Sequence, residues 1–247
     1  MNTTTRKLQA AAKQLADDVD AIEFQPPVTH VYNPLRYAWK AHANYLQFAN
    51  NGVSANNGVR TLLLGMNPGP WGMAQTGVPF GEIAAVRDWM GIETKVDRPA
   101  TEHPKRPVEG FGCERSEVSG RRLWGLFSER FPDPADFFTD HFVTNYCPLV
   151  FMEQSARNRT PDKLPTHERD QLVAACDRHL VRVIEILQPA HLVGVGTYAE
   201  KCLVRCAAKI DGSGSISRIL HPSPASPAAN RDWAGTAEKQ LTESGIW

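Results

Sequence analysis

The sequence predicts an α/β protein: three layers, α/β/α, around a central, mostly parallel four-stranded sheet. Three observations lead there. The wholly apolar run Thr61-Leu62-Leu63-Leu64 fits a strand buried on both faces, Phe142-Val143-Thr144 reads as a second buried strand, and His191–Val195 and Ile216–Leu220 read as a third and a fourth. Stretches of helical periodicity separate them, which implies right-handed βαβ units. The 247 residues, 42% apolar and 22% charged, suit one domain over 1–247 and exclude disorder, collagen and coiled coil as overall classes.

The elements follow in order. Residues 1–25 carry an N-terminal helix, with Leu8, Ala11, Ala12, Leu15, Val19 and Ile22 at helical spacing over 6–23 after a five-residue tail. A second helix covers Leu35 to Phe48 and ends at Asn51-Gly52. The first strand runs into NPGPWGMAQTGVPFG, too rich in Gly and Pro for regular structure, and a short helix covers Glu82 to Met90. Residues 91–117 read as a long surface loop. Ser119 is expected to cap a helix through Leu123, Trp124, Leu126 and Phe127. The second strand ends at Asn145-Tyr146-Cys147-Pro148. Thr166 precedes a long amphipathic helix to Leu187, stopped by Pro189. After the third strand, Gly196-Thr197 opens a helix. After the fourth, Ser226-Pro227 reads as N-cap and N1 of the last one.

Lys plus Arg and Asp plus Glu are both 27, so the formal net charge is zero. A globally basic nucleic-acid binder is excluded; a local basic face is not. No apolar run approaches the ~18 residues of a spanning helix, and the charged N-terminal segment lacks a signal-peptide core. The expectation is a protein without membrane association. A pI near 7.1 and the lack of an import-like basic run point to a bacterial cytoplasm, beside the nucleoid, or to the nucleus if the source is eukaryotic. Cys113, Cys147, Cys176, Cys202 and Cys206 are odd in number and scattered, as reduced thiols are. Cys202 and Cys206 share a helical face, but two ligands do not make a structural metal site. Neither a metal nor a cofactor is expected. A phosphate loop GxxxxGK[ST] is missing, and Gly194-Val195-Gly196 lacks the rest of a dinucleotide fingerprint.

In parallel α/β sheets, ligands bind outside the carboxyl ends of the strands. Three predicted strands end in a polar residue beside Pro or Gly: Gly65-Met66-Asn67-Pro68-Gly69-Pro70, Thr144-Asn145-Tyr146-Cys147-Pro148 and Leu220-His221-Pro222-Ser223-Pro224. Asn67, Asn145 and His221 would then converge on one rim. Each alone has a bland reading: Asn as a turn residue, His as a packed or solvated side chain. Together, two amides and an imidazole suit binding and polarising a heterocycle or an amide; they lack the activated nucleophile of acyl transfer. The His-Pro-Ser-Pro-Ala-Ser-Pro loop is either a rigid lead into the last helix or a stiff wedge able to enter a base stack.

GMNPGPWGMAQTGVPFGE (65–82), NYCPL (145–149) and HPSPASPAANRDW (221–233) resemble the motifs of the single-strand-selective monofunctional uracil-DNA glycosylases, in their order and with similar separations. The likeness covers about 30–240; the N-terminal helix carries no motif. It implies a uracil-DNA glycosylase-like fold. The implied activity is excision of uracil, and of oxidised uracils such as 5-hydroxymethyluracil, from single- and double-stranded DNA by a monomer. The product is an abasic site for base excision repair. By resemblance, Asn67 orients the hydrolytic water, though as an amide it accepts a proton poorly. Asn145 reads uracil through N3–H and O4, a pattern cytosine reverses. His221 stabilises charge on O2. Phe80 is the stacking floor, and Met66, Gly69 and Met73 line the base pocket. Pro222, Ser223, Pro224, Ala225 and Ser226 form the DNA-entering loop.

The motifs contain no lysine, so Schiff-base strand cleavage is not implied. Two positions depart from the family. Trp71 stands where it has Phe, and Ala225-Ser226 is small and uncharged where animal members carry a basic residue. Weaker entry into duplex, and a preference for single strands or mismatches, would follow. Lys105, Arg106, Arg157, Arg159, Arg218 and Arg231 are candidate DNA contacts. Xanthine or hypoxanthine as the preferred base, or a non-catalytic lesion or abasic-site binder, are the alternatives.

Overall fold

The computed structural model describes residues 3–56 and 58–247. In chain order its elements are α1 (Thr3–Asp20), β1 (Val28–Tyr32), α2 (Pro34–Tyr37), α3 (Trp39–Tyr45), α4 (Ala49–Asn56), β2 (Thr61–Gly65), α5 (Met73–Thr76), α6 (Val118–Arg130), α7 (Pro134–Asp140), β3 (His141–Asn145), β4 (Val150–Glu153), β5 (Asn158–Arg159), α8 (Thr166–Leu187), β6 (His191–Val195), α9 (Thr197–Ala207), β7 (Ser215–Ile219) and α10 (Pro227–Glu243).

Four strands form one sheet, all parallel, in the order β3-β2-β6-β7. β2 lies inside it with all five residues buried, as its unbroken apolar run predicts. Helices flank the sheet: α9 packs on β6 and β7 and α10 on β7, while α1 packs on α8 and α4 on α7. Trp124, Phe127, Phe137, Phe138 and Phe142, from α6, α7 and β3, are fully buried as one aromatic cluster. Each such side chain stabilises the fold by about 1.5–3 kcal/mol through burial. The cluster anchors β3 and α6, whose ends at Asn145 and Ser119 line the site.

Several expectations are corrected. The N-terminal tail is shorter than five residues, because α1 starts at Thr3; the buried Thr5 hydroxyl donates to Asn50 Oδ1 at 2.9 Å and ties that first turn down. The helix expected over 35–48 breaks at Ala38 (φ −107°, ψ 22°). Helical structure then passes through Asn51-Gly52 rather than stopping there. Gly52 serves close packing, since a Cβ would lie 2.9 Å from the Thr139 carbonyl of α7. The Gly- and Pro-rich segment after β2 contains the helical turn α5. Ser119 does not cap α6; Glu117 takes the N-cap position with extended backbone.

A second, antiparallel sheet in the order β1-β4-β5 was not anticipated, nor was α7. Asp133 and Pro134 start α7 as N-cap and N1, with Asp133 Oδ1 accepting from Ala135 N at 2.8 Å. Among the described residues, no helix is long and apolar enough to cross a membrane.

Candidate active site

β2 and β3 run side by side with Gly65 opposite Asn145. Their ladder continues past both strands: Tyr146 N donates to Gly65 O and Cys147 N to Met66 O, each at 2.9 Å. The two loops are thereby zipped together, and Asn67 and Asn145 share one rim at the carboxyl ends of the strands. β7 brings His221 to it. Gly196 N donates to Ile219 O at 2.9 Å, and a Cβ on Gly196 (φ 89°) would lie 2.9 Å from His221 Cβ, so only glycine suits that place.

Asn67, Asn145 and His221 line one cleft of about 260 Å³ together with Met66, Gly69, Met73 and Phe80. The Asn67 Nδ2 donates to Pro68 O (3.3 Å) and Leu149 O (3.2 Å), which fixes the amide and leaves its oxygen as an acceptor. Asn145 is only 7% exposed. Its Nδ2 donates to Met73 Sδ at 3.4 Å, and its Oδ1 is buried with no hydrogen-bond partner. A buried orphan acceptor costs about 1–3 kcal/mol unless something arrives to donate to it. Gly65 makes this geometry possible, since a Cβ there would lie 2.3 Å from Asn145 Oδ1 and 2.5 Å from the Phe80 ring.

Phe80 has φ 53°, a left-handed conformation in a residue that is not glycine. Such strain, about 1–3 kcal/mol, persists where the surroundings over-determine it. Here they do. Gly81 N donates to Val78 O (2.8 Å), Glu82 N to Phe80 O (2.7 Å) and Thr76 Oγ1 to Gly81 O (3.0 Å). The Phe80 ring lies 6.4 Å from the His221 ring, tilted by 46°. Burial lowers the His221 pKa below the ordinary imidazole value, so the ring is neutral at pH 7 and offers one N–H donor.

The proline-rich loop is only partly at the cleft. Ser223 and Pro224 line it, whereas Pro222 is buried, Ala225 is exposed and Ser226 caps α10, its Oγ accepting from Ala229 N at 3.3 Å. The loop is clamped from behind. Arg122 on α6 donates to the carbonyls of Pro222 (3.1 Å) and Ser223 (3.3 Å) and to Asn230 Oδ1 (2.9 Å), and Asn230 Nδ2 donates to Pro224 O (2.9 Å).

Sequence reasoning missed Arg122, for which no motif exists, and Glu117. Glu117 is the one acid among the described residues lining the cleft. Its carboxylate occupies the space a Gly69 side chain would need, 2.1 Å from an ideal Cβ. Burial raises its pKa, against the opposing pull of the Ser119 and Trp71 backbone N–H groups. Among the candidate cations, Arg159 pairs with Glu153 and Arg218 with Glu200, both at 2.9 Å. Arg157 and Arg231 are exposed away from any described contact with the cleft, while Arg106 lies over Trp71. All five cysteines are buried and free.

The comparisons agree with one another. The family model described as the uracil DNA glycosylase superfamily matches residues 53–242. The chain is 45% identical over 233 residues to the single-strand selective monofunctional uracil DNA glycosylase of Bos taurus, covering 94% of this chain and 84% of that protein. It is 46% identical to the corresponding protein of Rattus norvegicus, covering 94% and 82%. Among solved structures it is similar to the wild-type SMUG2 of Pedobacter heparinus, with a TM-score of 0.62 over 95% of this chain and 97% of that one. At 16% identity, that likeness concerns the fold alone.

Proposed function

Because the chain belongs to the uracil DNA glycosylase superfamily, within its single-strand selective monofunctional group, we propose that it hydrolyses the N-glycosidic bond of uracil in DNA. The product is an abasic site for base excision repair. The observation that carries this reading is the orphaned Asn145 oxygen beside the Phe80 ring. A uracil stacked on Phe80 satisfies that oxygen with N3–H, while the Asn145 amide nitrogen exchanges Met73 sulfur for O4. Cytosine presents an acceptor at N3 and a donor at the 4-position, so it leaves the buried amide mismatched.

The chemistry divides between the two remaining residues. As the glycosidic bond breaks, electrons move onto uracil and concentrate at O2. The neutral His221 N–H stabilises that charge without having to lose a proton of its own. Asn67, its amide anchored on two carbonyls, aligns a water through its oxygen toward the electron-poor sugar carbon. An amide orients but does not deprotonate well, so stabilisation of the leaving base carries most of the catalysis. Among the described residues, no lysine lines the base pocket, in keeping with excision that stops at the abasic site. Glu117 gives the wall beside Gly69 a polar surface that suits a 5-hydroxymethyl group better than a methyl. The protein acts as a monomer on single-stranded or duplex DNA, with the Ser223-Pro224-Ala225 tip of the 222–226 loop entering the stack.

Single-turnover excision from a single-stranded oligonucleotide with one uracil tests this. Wild type yields abasic product with the strand intact until alkali is added. Asn67→Ala and His221→Ala slow the step by about 10²–10³. Near-wild-type rates in both variants would refute the assignment.

A further inference from the structure

A net charge of zero leaves room for one locally basic face. Several arginines sit on carboxylates: Arg36 on Asp17 and Asp20, Arg159 on Glu153, Arg178 on Asp18, Arg205 on Asp177 and Arg218 on Glu200. The cations around Trp71 are different. Trp71 follows the cleft-lining Pro70, and the guanidinium carbons of Arg106 and Arg115 lie 5.1 and 4.6 Å from its ring centre. Arg121 is exposed and donates to Ser116 Oγ at 3.1 Å. Among the described residues, Lys105, Arg106, Arg115 and Arg121 have no carboxylate ion pair, and the buried Nε of Arg106 has no partner at all. Residues 103–122 hold five Lys and Arg against Glu109, Glu114 and Glu117, and burial biases the last toward its neutral form.

A guanidinium over an indole is attracted by the ring and keeps its N–H fork for a second ligand. Two guanidiniums beside one indole concentrate positive charge there, and phosphate oxygens are the ligands their N–H groups suit. Resting on the glycosylase reading above, we propose that Arg106 and Arg115, over Trp71, together with Lys105 and Arg121 from the same 103–122 segment, form a track for the sugar-phosphate backbone of the damaged strand beside the flipped nucleotide. Phosphate contacts of this kind fix register without reading sequence. They also let a protein of zero net charge bind a polyanion through one face.

The test is a salt titration of binding to a single-stranded oligonucleotide carrying a tetrahydrofuran abasic-site analogue, which cannot be turned over. Each single-strand phosphate contact contributes about 0.7 to the slope of log K against log salt. Arg106→Gln and Arg115→Gln should each lower the slope by about 0.7, and the double variant by about 1.4. Arg115→Lys should retain it. Arg182→Gln, from the Arg182–Glu185 pair on α8, should leave it unchanged. A double variant with the wild-type slope, or an equal loss in Arg182→Gln, overturns the track. Uracil excision by wild type is scored in parallel. If excision is present and the slope does not move, the track alone fails; if excision is missing, the glycosylase reading fails whatever the slope does.

Discussion

One oxygen atom, Oδ1 of Asn145, is buried without a partner at the back of a polar cleft, and base selection follows from that. Asn145→Asp replaces the donor needed by O4 with a second acceptor. Uracil excision should fall by at least tenfold, and cytosine should become a measurable substrate; unchanged base preference in a competition assay would contradict the role. Gly65→Ala would push a methyl to 2.3 Å from that oxygen and 2.5 Å from the Phe80 ring. It should abolish excision while thermal unfolding stays cooperative. Glu117→Ala removes the polar wall beside Gly69, so activity on 5-hydroxymethyluracil should fall relative to uracil. An unchanged ratio of the two rates would remove Glu117 from specificity. At this scale the sequence was informative where a side chain follows a strand, as Asn67, Asn145 and His221 do. It was silent on Glu117, whose place depends on two glycines, Gly69 and Gly72, that make room for it.

Among the elements, β2, β3 and β6 were legible because they are short, mostly apolar runs buried within the sheet, whereas β7, SISRI at the sheet edge, is largely exposed and was placed by its position between two helices. The sheet β1-β4-β5 was not legible. β4 follows the Tyr146–Leu149 turn directly, β5 has two residues, and β1 is only partly buried, so none shows a clear period. The last helix was legible from Ser226-Pro227, and Ser226→Ala should cost about 1 kcal/mol in a urea titration. Its partner in the loop was invisible: Arg122 lies about a hundred residues away and reaches back to the Pro222 and Ser223 carbonyls. Without it, Ser223 and Pro224 lose their fixed pose at the cleft. Arg122→Ala should therefore lower excision from duplex DNA more than from single strands, where no stack has to be entered. Equal losses on both substrates would show that the clamp serves the fold rather than the loop's entry into DNA.

For the molecule as a whole, the buried histidines set a lower limit in pH. Burial drives the His42 and His141 imidazoles down to about 4, opposed only in part by bonds to the Gly77 and Phe137 carbonyls. Unfolded, each titrates near ~6.5. Between 6.5 and 4 the unfolded chain binds more protons, so stability falls as pH falls, by up to about 3 kcal/mol per imidazole. The urea midpoint should drop steadily from pH 7 to 4.5; a constant midpoint would mean these rings are solvated. Burial holds the His221 imidazole below its ordinary value as well.

The most direct measurement is excision from a single-stranded oligonucleotide with one central uracil, at single turnover, by wild type and His221→Ala. Wild type should release free uracil and leave an alkali-labile, otherwise intact strand, with the variant slower by about 10²–10³. Failure of wild type to release the base, or equal rates for the two proteins, would contradict a cleft built to bind a flipped uracil and draw off its charge.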